Sequence, residues 1–165
     1  MKTGKAGLKL IKEFESLHDG DLKQIGLQPK MCPAGIWTEG YGRAMRDING
    51  NFIKGTIKKE LAYSRITIHN AVEAEKALLQ DLIAFERIVS IKIKKELNQN
   101  QFDALVSYVY NTGGSSTLYT LINNNASKEV IMNWFTTKYI SANGIKLPGL
   151  VRRRKAEATL YFKEV

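Results

Sequence analysis

Three side chains in the first quarter of the chain have types that could break a bond with water: Glu15, Cys32 and Thr38. A carboxylic acid kept neutral by partial burial can protonate a leaving group. A thiol or thiolate and a hydroxyl facing it could hold a nucleophilic water on the other side of the same bond. The flanking residues suit such a site. Glu15 lies in Phe14-Glu15-Ser16-Leu17, and Cys32-Pro33-Ala34-Gly35-Ile36-Trp37-Thr38-Glu39-Gly40-Tyr41-Gly42-Arg43 has the composition of a tight hairpin. On a strand from Ile36 to Tyr41, Thr38 shares a face with Ile36 and Gly40, and Glu39 points the other way, to a rim or to solvent. The glycines leave room for a substrate against the backbone.

Other uses of these residues stay open at this level. Glu15 could be a solvated surface glutamate. Cys32, the only cysteine, is either a small buried hydrophobe or a reactive group. A cysteine hydrolase would use Cys32 as nucleophile with His18 or His69 as base. Such nucleophiles often sit at helix N-termini, whereas Cys32 precedes Pro-Ala-Gly in a hairpin. Two histidines and one cysteine, far apart in sequence, offer no metal-ligand cluster, and no cofactor motif is present.

Positioning these groups falls to a small set of elements. Leu8, Ile11, Phe14 and Leu17 predict an amphipathic helix over residues 4–17, with Glu15 near its end. Residues 18–57 hold most of the glycines, and Asn49-Gly50-Asn51 marks a turn, so this stretch reads as two or three short antiparallel strands. Asn70 with Glu73 predicts a helix start, and Val72, Leu79, Leu82 and Phe85 an apolar face running to about Val89. Asn98 with Gln101 caps a buried helix carrying Phe102, Leu105, Val106, Val109 and Tyr110, which stops at Gly113-Gly114. Shorter helices follow near 115–123, 126–141 and 149–163, separated by Asn143-Gly144 and Pro148-Gly149. The fold class is α+β and mainly helical: a small β-hairpin lobe over about 18–68, a larger helical lobe from 1–17 and 69–165, a helix bridging them, and a cleft between. Ligands commonly bind at such junctions.

A length of 165 residues fits one domain of two lobes. The formal charge of +9, from 25 Lys and Arg against 16 Asp and Glu, favours anionic partners such as nucleic acid, a membrane surface or an acidic wall polymer. No nucleic-acid motif accompanies the charge. With one cysteine there is no disulfide framework, which fits folding in the cytoplasm. Met1-Lys2-Thr3-Gly4-Lys5 is basic but no apolar segment follows, so neither a signal peptide nor stable membrane insertion is expected.

Taken together, the motifs resemble a known family. The Glu15 and Cys32–Gly42 segments, Gln99-Asn100-Gln101-Phe102-Asp103-Ala104-Leu105-Val106, Tyr110-Asn111-Thr112-Gly113 and Leu147-Pro148-Gly149-Leu150-Val151-Arg152-Arg153-Arg154-Lys155-Ala156-Glu157 are similar, in order and over nearly the whole chain, to the phage-type lysozymes. These are the endolysin muramidases of T-even and lambdoid phages and their bacterial relatives. The resemblance implies a lysozyme-like fold and a glycoside hydrolase cleaving the β-1,4 bond between N-acetylmuramic acid and N-acetylglucosamine in bacterial peptidoglycan. It implies Glu15 as general acid, Cys32 and Thr38 positioning and activating water, and an inverting outcome. It places Tyr110, Asn111, Thr117 and Asn133 at substrate-binding positions and Arg153 as a supporting cation reaching the acid. It further implies a monomer without cofactor, made in the cytoplasm and carried to the wall by a holin or a secretion route. Three departures stand out. Glu15 and Cys32 are widely spaced by an insertion from His18 to about Lys30, whose Asp19 and Asp21 could supply a second carboxylate or a solvated loop. Glu39 replaces an apolar residue. Arg43 stands where a histidine is common, which puts a structural ion pair in doubt. The alternative function is a non-catalytic peptidoglycan-binding or scaffolding module on the same fold.

Overall fold

The computed structural model describes residues 1–142 and 144–164. The chain forms two compact units, Glu15–Asp81 and Met1–Phe14 with Leu82–Val165.

The Glu15–Asp81 unit is built on a three-stranded antiparallel sheet, β1 (Lys30–Met31), β2 (Trp37–Glu39) and β3 (Arg43–Ala44), in that order. The turn that starts it is set by chemistry. Cys32 N–H donates to the Ile36 carbonyl and Gly35 N–H to the Cys32 carbonyl, both at 2.8 Å, while Gly35 takes φ 75°. Pro33 supplies the fixed φ of the first corner and glycine the left-handed exit. The ladder then pairs Lys30 with Thr38, Met31 with Trp37, Thr38 with Ala44 and Glu39 with Arg43. Bridges at Ile36–Lys54 and Arg46–Phe52 extend it, the second around the Asn49-Gly50 turn.

Because strand side chains alternate, this register sends Trp37 to one face and Thr38 to the other. Trp37 packs with Met45, Ile53 and Ala62, and its indole N–H donates to the Gly55 carbonyl at 2.8 Å. After a 3-10 turn (Thr56–Lys58), α2 (Lys59–Ser64) completes this core with Ala62 and brings the Tyr63 ring edge-on to Trp37. Its six residues are too few for a helical period to show in the sequence.

The insertion between Glu15 and Cys32 is a closed loop. Gly20 N–H donates to the Gln28 carbonyl at 3.0 Å, and Asp19 accepts from the Asp21 and Gln28 amides. Gly20 lies so close to the Pro29 carbonyl that a Cβ would collide with its oxygen, so only glycine fits there. Leu27 N–H ties the far side to the His69 carbonyl at 2.9 Å, leaving Leu22 and Ile25 exposed. Asp19 and Asp21 therefore organise a loop.

In the other unit, α1 (Lys5–Glu15) is anchored at its N-terminus. Its first amides have no partner within the helix, and buried carboxylates supply them. Asp103 accepts from Gly4 and Gly7 at 2.8 Å each, and Glu86 accepts from the amide and hydroxyl of Thr3. Burial pushes the Glu86 carboxyl pKa up, but hydrogen bonds from Thr3 and Lys2 outweigh it and leave it lowered. The helix ends at Glu15, where Ser16 turns left-handed at φ 60°.

Helix α4 (Gln99–Thr112) starts at the expected Asn98–Gln101 capping box and ends on left-handed Gly113. It packs on α7 (Pro148–Tyr161), which in turn packs on α6 (Lys128–Thr137), with α5 (Ser116–Asn123) beside α6. Three expectations are corrected. In α3 (Ala71–Lys92) the buried stripe is Ala74, Leu78, Leu82 and Val89, and Val72 and Leu79 are exposed. The α3 start is half a capping box: Asn70 accepts from the Glu73 amide, but the Glu73 carboxylate takes the His69 amide. Helix α6 stops at Thr137, and β4 (Ser141–Ala142) with β5 (Ile145–Lys146) forms a second small hairpin. Of the expected Asn143-Gly144 break, Asn143 lies outside the described residues.

Candidate active site

Cross-strand neighbours share a face, so the register assembles the site. Cys32, two residues beyond Lys30, stands on the same face as Thr38, with Ile36 opposite Cys32 and Ala44 opposite Thr38. These residues line a cavity of about 630 Å³ together with Glu15, His18, Lys30, Met31, Pro33 and Gly42. Glu15, Cys32 and Thr38 are thus brought together as the sequence implied. Glu15 enters from the last position of α1, Cys32 from the turn and Thr38 from the middle of β2. The missing side chain of Gly42 matters here. A Cβ on it would lie 3.8 Å from the Glu15 carboxylate and 3.9 Å from the His18 ring, so the acid and the imidazole flank one small gap.

Thr38 is only 4% exposed. Its hydroxyl donates to the Lys30 carbonyl at 2.7 Å, and the His18 Nδ1 lies 2.7 Å from the same oxygen. The His18 amide donates to the Gly40 carbonyl at 2.7 Å, which fixes the ring beside the strand. Burial pushes the His18 pKa below the usual imidazole value, and the Lys30 charge adds to this. The Glu15 charge and a hydrogen bond to the Glu15 backbone oppose it. Cys32 is a free, half-buried thiol. From the sequence, His18 offers itself only as a base for a cysteine nucleophile. A histidine three residues after the candidate acid was the available signal for its place here.

Glu39 departs from expectation. It points away from Thr38, but it is 5% exposed and reaches neither rim nor solvent. Its carboxylate accepts from the Thr67 amide at 2.9 Å, the Thr67 hydroxyl at 2.6 Å and the Ile68 amide at 3.1 Å. A buried carboxylate is tolerable because three donors replace its water. Arg43 makes the ion pair that its identity had put in doubt. Its guanidinium meets Asp81 at 2.9 Å through both Nε and a terminal nitrogen, which also donates to the Ala77 carbonyl at 2.6 Å.

The other expected site residues belong to the second unit. Tyr110 packs edge-on against Phe85. Asn111 is exposed and accepts from Arg154 at 2.8 Å, while Thr117 and Asn133 are exposed on α5 and α6. Arg153 is buried, 5.8 Å from the Phe14 ring centre, and donates to Glu157 at 3.2 Å. Glu157 is fully buried and also accepts from Arg154 and the Ser107 hydroxyl. Burial raises its carboxyl pKa, and the Arg154 and Arg153 guanidiniums offset this only in part. Among the described residues, no cluster of three His, Cys, Asp or Glu is placed to hold a metal ion, and no helix is long and apolar enough to cross a membrane.

The sequence pattern of the phage lysozyme family matches residues 21–157. The chain belongs to the phage lysozyme family. An endolysin of Acyrthosiphon pisum secondary endosymbiont phage 1 is 33% identical over 169 residues, covering 98% of each chain. An endolysin of Bacillus phage B103 is 31% identical over 98% of this chain, which spans 54% of that relative's length. Among solved structures, the endolysin of Escherichia coli O157:H7 phage FAHEc1 superposes with a TM-score of 0.71 at 28% identity, covering 100% of this chain and 96% of that one. Within this chain, Glu15 lies six residues before the family-matched segment and His18 three, while Cys32 and Thr38 fall inside it.

Proposed function

We propose that the chain is a peptidoglycan-hydrolysing muramidase that cleaves the β-1,4 bond between N-acetylmuramic acid and N-acetylglucosamine. What carries this reading is the convergence of Glu15, Cys32 and Thr38 on one cavity in a member of the phage lysozyme family. Glu15 donates its proton to the glycosidic oxygen as the bond to the anomeric carbon breaks. A water held by Cys32 and Thr38 attacks that carbon from the opposite face and gives its proton to the Cys32 thiolate. Attack from the opposite face inverts the anomeric configuration. Tyr110, Asn111, Thr117 and Asn133 contribute sugar contacts, and Arg153 supports the acid. The protein acts as a monomer on bacterial peptidoglycan and reaches the wall through a holin or a secretion route.

The test is turbidity loss of purified peptidoglycan with the parent and with Glu15→Gln. The parent clears the suspension and releases new reducing ends on muramic acid, and the variant does neither. Clearing by Glu15→Gln, or binding without release by the parent, would refute the assignment. The second outcome would favour the wall-binding alternative.

A further inference from the structure

The hydrogen bonds around Thr38 determine more than its position. A threonine hydroxyl carries one proton and two lone pairs. The Lys30 carbonyl can only accept, so the 2.7 Å contact from Thr38 to it uses that one proton. The contact between Thr38 and His18 Nδ1, also 2.7 Å, is then satisfied only if the ring donates to the hydroxyl. A neutral ring has one proton for two claims, the Thr38 oxygen and the Glu15 backbone, and the spent Thr38 proton favours the tautomer that carries it on Nδ1. A purely structural threonine would already be satisfied by the carbonyl. The second bond takes one lone pair and leaves the oxygen a single open lone pair. A water meeting Thr38 has to donate to it, and so keeps its own lone pairs free for attack. The same ring stands across the Gly42 gap from the Glu15 carboxylate.

From this geometry we infer that His18 is a positioning residue for the muramidase reaction proposed above. Its Nδ1–H, donated to Thr38, holds the hydroxyl as a pure acceptor and so orients the attacking water. The inference rests on that proposed reaction for its consequence, but the tautomer it requires is a property of the resting protein. The chain has two histidines, which makes the tautomer directly readable.

Two experiments test it. Nitrogen-15 spectra of histidine-labelled protein near neutral pH, assigned with His69→Gln, should show a protonated Nδ1 and an unprotonated Nε2 on His18. The opposite tautomer would overturn the inference whether or not the protein is active. In the second experiment, kcat and KM are measured on peptidoglycan fragments. His18→Leu removes the donor and should lower kcat about three- to tenfold, the worth of one such bond, with KM unchanged. His18→Asn places an amide N–H near the position of Nδ1 and should keep activity within about twofold of the parent. Matched unfolding midpoints establish that both variants fold. A Leu variant as fast as the parent, or an Asn variant as slow as the Leu variant, would refute the role. An inactive parent would instead sink the muramidase reading, with the spectra still deciding the tautomer.

Discussion

Replacing Glu39 with alanine should destabilise the protein strongly, although nothing in the site's chemistry calls on that residue. Its carboxylate, itself buried, receives the Thr67 and Ile68 amides and the Thr67 hydroxyl at 2.6–3.1 Å. The hydroxyl can turn to another partner, but the two amides cannot. An orphaned buried amide costs about 1–3 kcal/mol; the Ile68 amide is buried and the Thr67 amide partly so, and the pair sums to about 3 kcal/mol. For a domain of this size each kcal/mol moves the melting temperature by about 2–4 °C, giving an expected fall of about 6–12 °C. Calorimetry would measure the fall. Hydrogen exchange would show whether it starts at the right place, since the Thr67 and Ile68 amides should lose protection before the rest. Glu60→Ala, on the exposed start of α2, serves as control and should change little. A shift under about 2 °C for Glu39→Ala, or unchanged exchange at both amides, would refute the assignment of this carboxylate as a structural anchor.

Asp103→Ala removes the acceptor for Gly4 and Gly7 and should cost about 3 kcal/mol in urea unfolding, with Asp103→Asn costing less because one oxygen remains. Full labelling of Cys32 with a small thiol reagent should lower activity on the order of 10²-fold if the thiolate takes the water proton, and unchanged lysis by fully labelled protein would eliminate that role. The His18 pKa is lowered in the folded protein from 6.5, so below about pH 6.5 the unfolded chain binds the extra proton first and stability falls with falling pH. Above that pH the term is constant. Unfolding free energies of the parent and His18→Asn, compared from pH 7.5 down to 5, should diverge from about pH 6.5 downward.

The sequence was most legible where local chemistry and pattern agree. The Cys32–Gly35 turn, the Asn98–Gln101 box and the Gly113 stop are short-range devices, and all form as expected. Glu15, Cys32 and Thr38 stand out by residue type and by the family resemblance that motif order carries, whereas the shared face of Thr38 and Cys32 comes from the strand register. What escaped depends on partners distant in the chain. Glu39 was assigned to the correct face, but alternation says nothing about the donors waiting at Thr67 and Ile68. In α3, two apolar stripes compete and tertiary packing selects the one with Ala74 and Leu78, so Val72 and Leu79 remain outside. The identity of Arg43 does not reveal its pair with Asp81, which depends on the reach of the guanidinium across the fold.

The clasp between Gly20 and Gln28 means that counting residues overstates the reach from acid to thiol. Seventeen positions separate Glu15 from Cys32, yet both line one cavity, because the chain returns on itself before the sheet begins. The segment from Asp21 to Leu27 is a detour that leaves and rejoins the chain at the clasp. The detour's apex at Leu22 and Ile25 is also a natural place to graft a fluorophore or an epitope, since added length there is taken up beyond the clasp.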